Sequence, residues 1–157
     1  MVLFKPVEKF INEKFDLIDS GNWEEVYHTF SEDYASEKCH IGNLTDALME
    51  AGIDPLEGKT YVENYMFYGS ERGEIILPEG IQNIGMEAFS DTLDLRKIFI
   101  PKSVWEIKFR AFKNAGLQPL PVQLIYAGTR EEWVSIKKEN GWDYGSNITV
   151  RCLGDEK

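Results

Sequence analysis

Cys39 and His40 are neighbours in the stretch SEKCH, and with His28 and Cys152 they are the side chains that could attack a substrate or hold zinc. A thiol nucleophile needs an imidazole brought into reach by the fold. A structural zinc needs a second ligand pair at a defined spacing, and no such pair follows Cys39-His40. The plainer reading of these two residues is a partly buried thiol beside a surface imidazole. Carboxylates are abundant, which weakens any single pair: Glu24-Glu25, Glu131-Glu132 and Asp91/Asp94 fall at helix starts and turns, where acids belong in any case. The sequence carries neither a glycine-rich phosphate loop nor a twelve-residue calcium loop. No catalytic residue, metal site or cofactor is therefore assigned, and a non-enzymatic role is expected.

The elements that surround these residues set the remaining bounds. Apolar residues make up 43% of the 157 and aromatic residues 13%, enough for a real core. The net charge is −10, and it is uneven: residues 1–73 hold 15 acids and 6 bases, residues 74–157 hold 12 acids and 11 bases. An acidic front half repels phosphate backbones, so direct nucleic-acid binding is not expected. That acidity has two readings, solubility or a surface for a basic partner, in the way that some inhibitors of nucleic-acid enzymes imitate phosphate. There is no signal-peptide pattern and no apolar run of membrane-spanning length, and the two cysteines lie far apart. These features predict a cytoplasmic protein with free thiols.

Residues 1–72 read as a helical leader. Val7, Phe10, Ile11, Leu17 and Ile18 recur at helical spacing before a stop at Ser20-Gly21. Asn22 is placed to cap a second helix, WEEVYHTF, and Asn43 to cap a third, NLTDALMEAG, with Gly52 as its left-handed stop. TYVENYMFYGS reads as an extended connection, which puts the boundary near Gly69 to Gly73.

From residue 73 onward the chain repeats itself. An offset of 23 residues relates Ile75, Leu77, Pro78, Ile81, Ile84, Ala88 and Phe89 to Ile98, Ile100, Pro101, Val104, Ile107, Ala111 and Phe112. Each copy reads as a strand ended by proline, a return across the core, a small residue and a core phenylalanine. One copy cannot bury its own apolar face, whereas stacked copies share it. The unit resembles the BspA-type leucine-rich repeat, I-x-I-P-x-x-V-x-x-I-G-x-x-A-F. Residues 75–89 fit it well, and residues 98–112 fit apart from Lys108 in the usual glycine place. The tail IYAGTREEWVSIKKENGWDYGSNITVRC is similar to what often closes such arrays, a helix capped at Thr129 with Trp133 and Ile136 facing inward, then a last strand. IGNLTDALMEAGIDPL resembles the helical leader of some small phage-encoded proteins of this kind. The resemblance implies an α+β fold: an N-terminal helical cap, a short right-handed coil with a mainly parallel sheet over residues 73–157, and a C-terminal helix-strand cap.

Strand alternation places Ile76 and Phe99 side by side on the outer face of that sheet. Arg96, Lys97, Lys102, Lys108, Arg110 and Lys113 make the second copy locally basic. One reading is a protein-binding patch at Ile76 and Phe99 rimmed by Arg96 and Lys97. A second is that residues 61–68 fold over this face and cover it. A third is self-association through the patch or an end strand. The function expected is a protein-interaction module of a phage or mobile element. The alternative is an inhibitor of a bacterial CRISPR-type defence nuclease that uses the acidic helices as a nucleic-acid mimic.

Overall fold

A computed structural model describes residues 4–116 and 119–156. Four helices come first: α1 (Lys5–Glu13), α2 (Phe15–Asp19), α3 (Trp23–Asp33) and α4 (Ile41–Glu50). The first expected helix is broken at Lys14 into α1 and α2 before Gly21 ends it at φ +73°. Asn22 caps α3 by accepting the Glu25 N–H at 3.3 Å. Asn43 is not the cap of α4: that helix starts two residues earlier, with His40 at the cap position, and the Asn43 side chain reaches back to accept the His40 N–H at 2.8 Å. Gly52 lies just beyond the C-terminus of α4 at φ +86°, the left-handed stop expected there.

Eight short strands follow, all paired in parallel. β1 (Tyr61–Val62), β3 (Asn83–Ile84), β5 (Glu106–Ile107) and β7 (Lys137–Lys138) form one sheet in that order. β2 (Glu74–Ile76), β4 (Lys97–Ile100), β6 (Val122–Tyr126) and β8 (Ile148–Cys152) form the other. Helix α5 (Arg130–Ser135) sits between β6 and β7, capped by Thr129 and Glu132, with Trp133 buried. The architecture is α+β: a helical start, a short coil of two parallel sheets, and a helix-strand close. The β1–β3–β5–β7 sheet is an addition to the sheet implied above, because Ile84 and Ile107 pair as strands in the return segments.

The coil begins earlier than its obvious repeats. Val62 pairs with Ile84, and Phe67 stacks on Phe89, so residues 61–70 are a layer of the stack equivalent to 83–92 and do not lie over the outer face of the second sheet. Phe67, Phe89 and Phe112 form a continuous ladder, with centroids 5.1 and 5.0 Å apart and planes within 14°. Trp142 closes it edge-on at 5.9 Å and is itself packed on Trp133. All three phenylalanines are fully buried.

In the segments that carry the aromatic ladder, backbone hydrogen bonds run in one direction. The N–H groups of Tyr65, Phe67 and Gly69 donate to the carbonyls of Met86, Ala88 and Ser90 in the next turn. Glu87, Phe89 and Asp91 donate in the same way to Phe109, Ala111 and Lys113, and Phe112 and Asn114 to Trp142 and Tyr144. The first turn is thus left with carbonyls that no earlier turn can use, and a buried carbonyl needs a donor. Helix α4 supplies them. The Gly42 N–H, one of the free donors of a helix start, meets the Tyr68 carbonyl at 2.8 Å. Thr45 Oγ1 donates to the Met66 carbonyl at 2.6 Å. Asp46 accepts the Ser70 hydroxyl at 2.7 Å and the Glu71 N–H at 2.9 Å. A Cβ on Gly42 would stand 2.5 Å from the Tyr68 oxygen, so glycine alone allows this approach.

Three stability predictions follow from this packing. Phe89→Ala and Phe112→Ala should each cost about 3–5 kcal/mol in urea unfolding, as large core aromatics do; a loss below about 0.5 kcal/mol, typical of surface changes, would refute the ladder. Gly42→Ala should destabilise by about 1–3 kcal/mol through overpacking, although alanine is the better helix former by about 1 kcal/mol; a more stable variant would contradict the docking of α4. Burial raises the Asp46 carboxyl above its ordinary value, partly offset by its hydrogen bonds from Ser70 and Glu71 and by the nearby Arg72. A raised native pKa means the folded state holds that proton more tightly. Relative to Asp46→Asn, the wild type should therefore gain stability as pH falls from the raised native pKa toward the ordinary carboxylate value. Urea melts across that window measure the difference, and a wild-type advantage that shrinks on acidification contradicts this.

Candidate interaction surface

The residues with nucleophilic or metal-binding chemistry are not assembled into a site. Cys39 and Cys152 are both free and buried. Burial pushes the Cys39 thiol above its ordinary pKa, and a hydrogen bond with the Val7 backbone offsets part of this. Cys152 is shifted the same way, again chiefly by burial. His40 packs edge-on against Tyr68 at 5.4 Å and against Gly69, in a packing role at the start of α4. Among the described residues, no three of His, Cys, Asp or Glu gather into a group that could hold a metal. Nor is any described helix long and apolar enough to cross a membrane.

The second sheet presents a more organised surface. Its strands alternate, with Ile75, Ile98 and Leu124 inward and fully covered. Parallel register sets Ile76 beside Phe99, Phe99 beside Ile125 and Ile125 beside Arg151. This is an outward column of three apolar side chains ended by a cation. Ile76 is 64% exposed, Phe99 is half-buried and Ile125 is buried. The Arg151 guanidinium is held by Glu156 at 2.7 and 2.8 Å. Two residues earlier in each strand runs a polar column, Glu74, Lys97, Gln123 and Thr149. An open groove of about 740 Å³ crosses this end of the sheet, lined by Arg96, Lys97, Leu120, Gln123, Thr149 and Arg151 among others.

The basic rim is smaller than the six cations suggest. Lys102 is paired with Glu132 at 3.2 Å. Arg110 lies over the rings of Phe109 and Tyr144 at 4.9 and 5.1 Å. Lys108 lines a separate pocket on the first sheet, with Trp105 and Tyr61. Arg96 and Lys97 line the groove, and neither forms an ion pair among the described residues. The sequence reading missed Ile125, Gln123, Thr149 and Arg151, because the spacing from β4 to β6 departs from 23 residues; only the alternation within VQLIY and ITVRC hinted at them.

Both edges of this sheet are guarded. On β2 the bonds to β4 use Gly73 and Leu77, so the Glu74 carbonyl faces away from the sheet, where the Arg72 Nε donates to it at 3.3 Å. On β8 the Val150 carbonyl faces outward in the same way, and an Arg130 guanidinium nitrogen donates to it at 3.5 Å. Charged side chains on edge strands oppose the addition of a further strand.

Residues 55–123 match the family model described as BspA type Leucine rich repeat region (6 copies). No curated protein and no solved structure matches the chain. The match starts in the turn before β1, in keeping with a coil whose first turn lies ahead of the two clear repeats. This segment is similar to leucine-rich-repeat coils, a class of stacked repeat whose extended faces commonly carry protein contacts. Because burial keeps both thiols protonated, iodoacetamide at neutral pH should label the native chain at least about tenfold more slowly than the urea-unfolded chain. Rapid native labelling of Cys39, read by mass spectrometry, would instead mark it as a reactive thiol.

Proposed function

We propose that the chain is a non-enzymatic protein-binding module whose partner seats on the outer face of the second sheet. Ile76 and Phe99 form the apolar centre, and Arg96 and Lys97 form the rim. The observation that carries this reading is the exposed Ile76 in register beside the half-buried Phe99 on the outer face of the sheet. Isolated exposed apolar residues are common, whereas an aligned pair flanked by free cations is the pattern of an interaction site. In this reading the helical leader serves as the cap of the coil, and the chain is a protein of a phage or mobile element acting in the cytoplasm of a bacterial host, a reading supported by the resemblance of residues 41–56 to phage-encoded leaders.

A second reading concerns the leader itself. Glu13, Asp16, Asp19, Glu24, Glu25, Glu32 and Asp33 are all exposed, a density of carboxylates that could stand in for phosphates before a defence nuclease. The two readings separate in one capture experiment from host cytosol. Phe99→Glu should keep the native melting temperature and lose the partner, while a charge-reversed leader should keep it. A partner retained by Phe99→Glu, lost on charge reversal and displaced by nucleic acid would assign the activity to the acidic helices.

A further inference from the structure

The chemistry of the partner can be read from the groove, on the premise that the outer face of the second sheet is the binding surface. We propose that the Ile76–Phe99 face, together with the groove beside it, takes an extended acidic and apolar peptide segment of a partner protein, laid across the strands and not added to their edge. Three observations point there. First, the strand edges are occupied by Arg72 and Arg130, and the inner strands have spent their backbone groups on each other, so only side chains are offered to a ligand.

Second, the outward side chains fall in two parallel rows, apolar Ile76–Phe99, with Ile125 buried beyond them, and polar Glu74–Lys97–Gln123–Thr149. Neighbouring strands lie about 4.8 Å apart, so the accessible apolar pair spans about 4.8 Å. An extended peptide repeats a side chain on one face about every 6.6 Å, so two apolar residues two apart straddle that pair, and the side chains between them point away. Residues flanking the pair reach the polar row and Arg151 at the end.

Third, the charges are complementary to carboxylates. Among the described residues Arg96 and Lys97 have no ion pair, in a chain of net charge −10, and Glu74 is the lone acid lining the groove. Arg96 lies against Gly73, where a Cβ would come within 3.2 Å of its guanidinium. Guanidinium and ammonium groups on an exposed rim gain most from a ligand carboxylate. The long-range field of the chain opposes an acidic ligand but is screened beyond about 8 Å at physiological salt, so binding should depend on these local cations and not on overall charge.

The test pans a displayed library of random short peptides against the intact chain. One enriched peptide is then titrated, as a fluorescent synthetic, against wild type, Phe99→Glu, the double variant Arg96→Glu/Lys97→Glu and a Lys113→Glu control, with melting curves confirming that each is folded. The expected result is enrichment of Asp or Glu beside apolar residues two apart. Affinity should be abolished by Phe99→Glu, reduced about tenfold or more by the double reversal and unchanged in the control. Phe99-dependent peptides without acids, indifferent to Arg96 and Lys97, would overturn the acidic chemistry and leave the face reading standing. Failure to recover any Phe99-dependent peptide would overturn both. Light scattering across a concentration series adds a further check. A dimer lost on Phe99→Glu would assign the groove to a second copy, whose acidic leader exposes Phe15 between Glu13 and Asp16, and would overturn a separate partner.

Discussion

In the segments that carry the aromatic ladder, each turn donates N–H groups forward and leaves carbonyls for the turn behind, so the stack cannot begin there unless something supplies the missing donors. Helix α4 supplies two from one stretch of sequence, the free amide of Gly42 and the hydroxyl of Thr45, while the carboxylate of Asp46 accepts from Ser70 and Glu71. The other leader helices serve that docking. Tyr27 of α3 places its hydroxyl 2.9 Å from Thr45, and Phe10 of α1 packs edge-on against Phe30 of α3. The leader is therefore the first layer of the coil in a different secondary structure. Its acidity belongs to the solvent side, where it costs the docking nothing.

Above that layer the fold is sustained by repetition. The aromatic ladder holds the axis, and the turns around it return to the same backbone conformation. Tyr65, Glu87, Arg110 and Gly141 share one position in successive turns and all have φ between 51° and 69°. Gly69, Asp91, Asn114 and Gly145 share another, between 56° and 70°. The left-handed region is disfavoured for residues other than glycine, least so for Asn and Asp. That Tyr, Glu and Arg are held there shows how strongly the stacked hydrogen bonds dictate the turn, whatever residue occupies it.

This dominance of backbone over side chain explains what could be read from the sequence. The turns from Ile75 and Ile98 were legible because proline, alanine and phenylalanine recur in both. The first turn escaped because Glu63 and Met66 replace the glycine and alanine, although Glu57-Gly58 already anticipates Glu79-Gly80 at an offset of 22. The last was hidden by the insertion of α5, which moves Lys138 to 31 residues beyond Ile107. Glycine was a poor marker, since Glu63, Gly85, Lys108 and Glu139 follow the paired strands in equivalent places. Of the candidate surface, Ile76 and Phe99 could be aligned from alternation alone. Which cations stay unengaged could not, because Lys102 is paired with Glu132 and Arg110 lies over Phe109 and Tyr144, partners brought in by the coil.

The in-register pairing of the two clear turns also makes the molecule extensible. Glu74, Ile75 and Ile76 align with Lys97, Ile98 and Phe99 without a bulge, so one turn ends in the geometry in which the next begins. A copy of that unit spliced between them would meet the same ladder, the same left-handed corners and the same donors, while α4 and the α5 closure remained at the two ends. Each such copy would widen the outer face by one strand, about 4.8 Å. Repetition of this unit would therefore generate a length series, in which the reach of the surface is set by how many turns lie between the α4 and α5 layers.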